Sequence, residues 1–265
     1  MSGAAPFSTL RVGIDATSDG RIGRLTLDQP AKLNPLGSTA LREIAEAAAW
    51  FDATDASVVI VTGEGRAFSS GFDLREFADP DAATSNPRDS ADLGRRMAEA
   101  LDRMAALTIA AIKGPCVGGG VVLAAACDLR IAADDTVFSI PEVDLGIPLA
   151  WGGIPRLVRE IGPAMTRELV LTCRPFDADE ARSLGFVNRV VPRADLESAV
   201  DDLATQLAAK APNVVRTTKR QVAEAIEAVA STAGSWADAD LLGAALRDPD
   251  ARAAARAYLE RAAKR

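Results

Sequence analysis

The chain has 265 residues, 48% hydrophobic and 25% charged, with 30 basic against 37 acidic side chains and a net charge of −7. That composition is globular and excludes the disordered and fibrous classes, and the acidic balance argues against the basic surface that sequence-independent nucleic-acid binding needs. There is no histidine, which excludes Ser-His and Cys-His nucleophile systems and His-ligated metals; general acids and bases must come from Asp, Glu, Lys, Tyr, Cys, backbone or water. In chain order, residues 12–14 and 22–27 read as short strands around a Ser18-Asp19-Gly20 turn. Residues 36–51 carry Leu41, Ile44, Ala45, Ala48 and Ala49 at helical spacing, with Ser38 or Thr39 as cap. The β-branched run 58–62 marks a buried strand.

Residues 77–88, rich in Asp, Pro, Ala and Ser, read as a mobile surface loop, and 91–107 as a second amphipathic helix. A strand over 109–112 precedes Gly118-Gly119-Gly120, an apolar helix over 121–127, and strands over 129–132 and 137–139. Beyond about residue 160 the pattern turns helical: 163–172, 177–184, 193–209, 211–229, 235–246 and 250–265. The division is therefore a mixed α/β part over 1–190 and a helical part over 191–265, and such terminal helices point to assembly.

Cys116, Cys127 and Cys173 form no CxxC pair and read as small buried residues of a reducing compartment. The single tyrosine, Tyr258, lies near the C-terminus. Residues 1–15 lack the basic-then-apolar pattern of a secretory signal, and the longest uncharged run, 114–127, is too short and glycine-rich to span a bilayer. A cytoplasmic protein without membrane or nucleic-acid partners is expected.

Three segments carry chemistry. Val117-Gly118-Gly119-Gly120-Val121 lets a ligand approach the backbone, with a packed tight turn as the plainer alternative; no GxGxxG order supports a dinucleotide. The stretch 65–76 is a glycine loop leading into a short helix, where Ser69 or Ser70 is a weak nucleophile without histidine. In 138–146, Glu142 and Asp144 lie two apart and would face the same way on an extended backbone, unless each is a surface or capping acid.

Together, and in this order, these segments resemble the crotonase, or enoyl-CoA hydratase/isomerase, superfamily over nearly the whole chain, from about Arg11 onward. Gly65 to Glu76 is similar to the family's first oxyanion loop, and Gly114-Pro115-Cys116-Val117-Gly118-Gly119-Gly120 through Ala132 to its second; Phe138 to Gly146, Gly152-Gly153 and Arg156-Leu157 extend the likeness. The resemblance implies an α/β spiral of repeated ββα units with a C-terminal helical oligomerisation region that builds homo-trimers or hexamers. It implies an acyl-CoA substrate, no metal, and no cofactor beyond the CoA carried by the substrate. The thioester oxygen would sit between the N–H groups of Phe72 and Gly119, while Lys32, Asp73, Leu74 and Arg75 would contact CoA.

The family's hydratases use two glutamates. The first position, two residues past the glycine triplet, is here Val122; the second is Glu142. Water addition normally needs both groups, whereas a single carboxylate suffices for 3-enoyl to 2-enoyl isomerisation, so isomerase is the first expectation. A hydratase with altered machinery and a non-catalytic acyl-CoA-binding protein are the alternatives. The acid that dienoyl isomerases carry eight residues after the Pro-Glu glutamate is here Ala150. Asp144 is expected to be structural, Asp128 to pair with Arg130 or cap a helix, and Trp151 and Phe72 to shape the acyl pocket.

Overall fold

Continuous apolar runs form the centre of a six-stranded sheet. Its strands are β1 (Leu10–Ile14), β2 (Ile22–Leu27), β3 (Val58–Gly63), β4 (Leu107–Ile112), β6 (Leu129–Ala133) and β9 (Arg189–Val191), in spatial order β1-β2-β3-β4-β6-β9. Only β1 runs antiparallel to its neighbour; the other pairs are parallel, Val58 opposite Leu107 and Ile109 opposite Leu129. Parallel strands covered on both faces lose the polar alternation of a half-exposed sheet, as VVIVTG in β3 and LTIAAI in β4 show. The computed structural model describes residues 7–15, 21–73, 76 and 87–262; the expected Ser18-Asp19-Gly20 turn and residues 77–86 of the loop expected over 77–88 lie outside them, and residues 87 and 88 are helical instead.

A second, smaller sheet holds β5 (Pro115–Val117), β7 (Val137–Ser139) and β8 (Phe176–Asp177) in order β5-β7-β8. Isolated bridges prolong its line: Ser69 opposite Cys116, and Leu36 opposite Phe72. Parallel pairing requires a crossover between successive strands. Here each circuit of the chain leaves one strand in the large sheet and a short stretch in the small one, then returns through a helix. Thus β2, Leu36 and α1 (Ser38–Asp52) form one turn of a spiral. β3, Ser69 to Phe72 and α2 (Pro87–Arg103) form the next, and β4, β5 and α3 (Gly119–Ala125) the third.

Successive residues of a strand face opposite sides. Val59, Val61, Ala110 and Ile112 join the core beneath α1, α2, α3 and α4 (Gly153–Thr172). Val58, Ile60, Ile109 and Ile131 face the other way and pack with Leu196, Val200 and Leu203 of α6 (Leu196–Ala208). Each such side chain gains roughly 1.5–3 kcal/mol by burial. The short α5 (Ala178–Ser183) starts where the Asp177 side chain accepts the Glu180 N–H at 2.8 Å. Helix α7 (Pro212–Glu227) lies on the surface with none of its residues buried, and α8 (Asp238–Ala245) and α9 (Pro249–Ala262) follow.

Several local expectations are corrected. Neither Ser38 nor Thr39 caps α1: Ser38 is its first residue, and the Glu76 carboxylate accepts the Ser38 N–H at 2.9 and 3.0 Å and its hydroxyl at 2.7 Å. A remote acid thus satisfies the donors that a local side chain usually takes. Helix α4 starts at Gly153 rather than Pro163 and bends at Gly162, whose φ of 74° accommodates the following proline. Asp128 and Arg130 do not pair. Asp128 accepts from the Thr108 N–H and hydroxyl and from Lys219 Nζ at 2.7 Å, while Arg130, 3% exposed, pairs with Glu160 and donates to the carbonyls of Phe186 and Cys127. A buried guanidinium has five donors to satisfy, and these groups supply acceptors around it. Strands β5, β8 and β9 have only two or three residues each, too few to show a period in sequence.

Candidate active site

The three consecutive glycines each make room for a different group. Gly118 takes φ 49° and ψ −111°, and its N–H donates to Ser139 O at 2.8 Å. A Cβ there would collide with the Glu142 carboxylate. At Gly119 a Cβ would collide with the Trp151 indole, and at Gly120 it would come within 3.0 Å of Ser69 Cβ. The run is therefore a packed turn, each missing Cβ giving its space to a side chain of another element. Gly119 is the first residue of α3, and among the described residues its N–H has no hydrogen-bond acceptor.

Glu142 follows β7 in a turn closed by Leu145 N–H to Pro141 O at 3.0 Å and Ile147 N–H to Glu142 O at 2.9 Å. The backbone is not extended, so Glu142 and Asp144 do not share a direction: Asp144 is exposed, whereas Glu142 Oε2 is buried and takes no hydrogen bond among the described residues. Removing a carboxylate from water without a compensating cation or donor disfavours its charged form. Desolvation pushes the Glu142 pKa up to about 7, opposed only by a backbone hydrogen bond.

The first loop is braced against the second. Gly71, at φ 82°, lies so close to Val117 O that a Cβ would clash, and that Cβ would be 3.4 Å from Gly119 N. The Leu36 N–H donates to Gly71 O at 2.8 Å. The Ser69 hydroxyl donates to Asn34 O at 2.8 Å and accepts the Gly71 N–H at 3.1 Å, so it serves the loop and not nucleophilic chemistry. Asn34 is a strut that sequence reasoning missed. Buried at φ 54°, it donates from Nδ2 to Glu64 O at 2.9 Å and Ala67 O at 3.0 Å, and accepts the Gln29 N–H at 3.0 Å. Its signal is the residue type itself, since asparagine is among the few that enter the left-handed region readily.

Trp151, 8% exposed at φ 62°, forms one wall. Its ring meets Phe72 edge to face, centroids 6.0 Å apart. Arg156 Nη1 holds the loop by donating to Trp151 O at 3.0 Å and Gly152 O at 3.1 Å, and Asp238 of α8 accepts the Gly152 N–H at 2.7 Å. Arg156 also pairs with Asp102 of α2. Val122 is 1% exposed and faces Gly153 at a distance that leaves no room for a Cβ.

The structure thus brings Phe72, Gly119 and Glu142 to one place. Lys32 is exposed at the end of the 3-10 turn Pro30–Lys32, Asp73 lies beside Gly37, and Leu74 and Arg75 lie outside the described residues. Burial pushes the Cys116 thiol well up and the Cys127 thiol to about 12, which keeps both protonated. Among the described residues no acidic or cysteine cluster could hold a metal, and no helix is long and apolar enough to cross a membrane.

Two interlocked glycine loops, a dry carboxyl and a spiral of ββα turns define a recognisable class. The family model for enoyl-CoA hydratase/isomerase matches residues 17–265, and the chain belongs to that family. It is 38% identical over 210 residues to a probable enoyl-CoA hydratase of Mycobacterium tuberculosis, covering 79% of this chain and 80% of that one. It is 35% identical over 225 residues to the peroxisomal Delta(3,5)-Delta(2,4)-dienoyl-CoA isomerase of Arabidopsis thaliana, covering 80% and 81%. The crystal structure of an enoyl-CoA hydratase from Mycobacterium avium subsp. paratuberculosis K-10 superposes with a TM-score of 0.85 at 24% identity, covering 96% of this chain and 100% of that one, a likeness of fold.

Proposed function

We propose that the chain isomerises 3-enoyl-CoA to 2-enoyl-CoA thioesters, with Glu142 as the only proton-transfer group. The observation that carries this reading is the Glu142 carboxyl beside Gly118, whose Oε2 is buried without a hydrogen bond among the described residues, with hydrocarbon at Val122 in the position where family hydratases hold a second acid. Glu142 takes the proton from C2, the electron pair moves into the thioester as a dienolate, and the Glu142 carboxyl, its hydrogen exchanging with solvent, delivers a proton to C4 as the double bond shifts. The enolate oxygen accepts from the N–H groups of Phe72 and Gly119. By comparison with measured oxyanion sites, each such donor contributes roughly 3–4 kcal/mol to the transition state. A base whose pKa lies near 7 is half-ionised at working pH and strong enough to abstract the activated proton. Lys32 and Asp73 contact the CoA portion. The exposed apolar side chains Val229, Trp236 and Leu241 of the C-terminal part support assembly into trimers or hexamers.

Incubation of 2-enoyl- and 3-enoyl-CoA esters in heavy water, read by mass spectrometry, tests the reaction. Interconversion with deuterium uptake is expected. A product heavier by one water would instead establish hydration, the activity named for several relatives. Binding without any change in either ester would leave the non-catalytic reading.

A further inference from the structure

Trp151 stands where the two loops and helix α2 converge. Its indole fills the space that a Cβ on Gly119 would need, and its five-membered ring fills the space that a Cβ on Gly94 would need. Gly94 lies inside α2, where glycine is less favourable than alanine. The close approach of the tryptophan explains why that position has no side chain. The indole is locked by its edge-to-face contact with Phe72 and by backbone held from Arg156 and Asp238, at a left-handed φ unusual for a bulky residue. A rigid aromatic plate therefore fills the space between Gly94 of α2 and Gly119 at the start of α3.

We infer that Trp151 determines acyl specificity: it closes the α2 side of the site and restricts the enzyme to short acyl chains. This rests on the acyl-CoA reading above, with the thioester oxygen at Gly119. A chain directed from that point toward α2 would meet the indole. Methylenes beyond the first few stay in water and contribute nothing, whereas each buried methylene is worth roughly fourfold in affinity.

The test uses calorimetric binding of saturated CoA esters, butanoyl to dodecanoyl, which have no double bond to isomerise or hydrate. Wild type is expected to reach an affinity plateau at about four to six carbons. Trp151→Ala should extend the rise by tenfold or more at eight carbons, and Trp151→Phe, which keeps a plate and guards against misfolding, should lie between. The inference is overturned if wild-type affinity climbs steadily to dodecanoyl, or if the Trp151→Ala and Trp151→Phe series both superimpose on wild type while their melting shows folded protein. If no ester binds, the acyl-CoA reading falls with it. If binding stops at short chains but enoyl esters are unchanged in heavy water, the reaction fails and the wall stands.

Discussion

Glu142 and the pair Asp102 and Glu160 are acids enclosed by the same fold under opposite conditions. Asp102 and Glu160 each meet a guanidinium, Arg156 and Arg130, and burial still raises their pKa values above the usual carboxylate range because it outweighs the cation. No cation among the described residues acts on Glu142, and desolvation takes it to about 7. The contrast separates two uses of a buried carboxyl. Where a guanidinium fills the site, the acid ties helices together: Asp102 joins α2 to α4, and Glu160 of α4 reaches β6. Where partners are withheld, the acid is left able to exchange a proton near neutrality.

The largest effect should come from Glu142→Gln. Deuterium uptake into enoyl-CoA should fall by roughly 10²–10⁴-fold, the range for a positioned acid-base group, while the melting temperature holds or rises because no ion pair is lost. Retained exchange would remove Glu142 from the mechanism. Asp102→Ala should do the reverse, destabilising the chain by about 3–5 kcal/mol in urea unfolding because a buried guanidinium loses its anion. Replacing both partners, Asp102→Ala with Arg156→Met, should recover part of that loss; a double variant worse than the sum would deny the pairing.

The two environments also differ in pH response. An acid with a raised folded-state pKa binds more protons folded than unfolded between its two pKa values, so stability falls as pH rises across that window. For Glu142 the window runs from about 4.5 to about 7, a decline on the order of 3 kcal/mol. Subtracting the Glu142→Gln stability curve from wild type should isolate it, and kcat/KM should rise with pH around a midpoint near 7. A flat difference curve would mean the carboxyl is hydrated in solution. The smallest effect belongs to Lys219→Ala. Asp128 keeps its Thr108 donors, so the loss should be about 1–3 kcal/mol, read as faster amide exchange confined to α7, the helix that this lysine tethers to the Ala106 carbonyl and Asp128.

Strands β3 and β4 are legible in sequence because burial on both faces leaves unbroken apolar runs. The glycine run and Glu142 are legible because loops that must touch backbone to backbone tolerate few residue types. The turn that separates Glu142 from Asp144 is not: its hydrogen bonds run between backbone groups that any residue carries. Arg156 looks like a surface residue in a helical pattern, since its burial depends on Asp102 and on carbonyls brought by other elements. Gly94 reads as a flaw in α2 until Trp151, remote in sequence, is placed against it. The cap on α1 is hidden for the same reason, its acid arriving from the far end of the first loop.

The bridge between Ser69 and Cys116 belongs to two successive turns of the spiral. The spacing of the Phe72 and Gly119 backbones is thereby tied to the pitch of the chain as well as to the Ser69 hydroxyl and the Trp151 indole that brace the two loops. Substitutions that leave the pitch and these two braces alone, such as those in the helix covering the far face of the large sheet, should leave that spacing dimensionally constant, so the outer layer is the part of the scaffold free to drift.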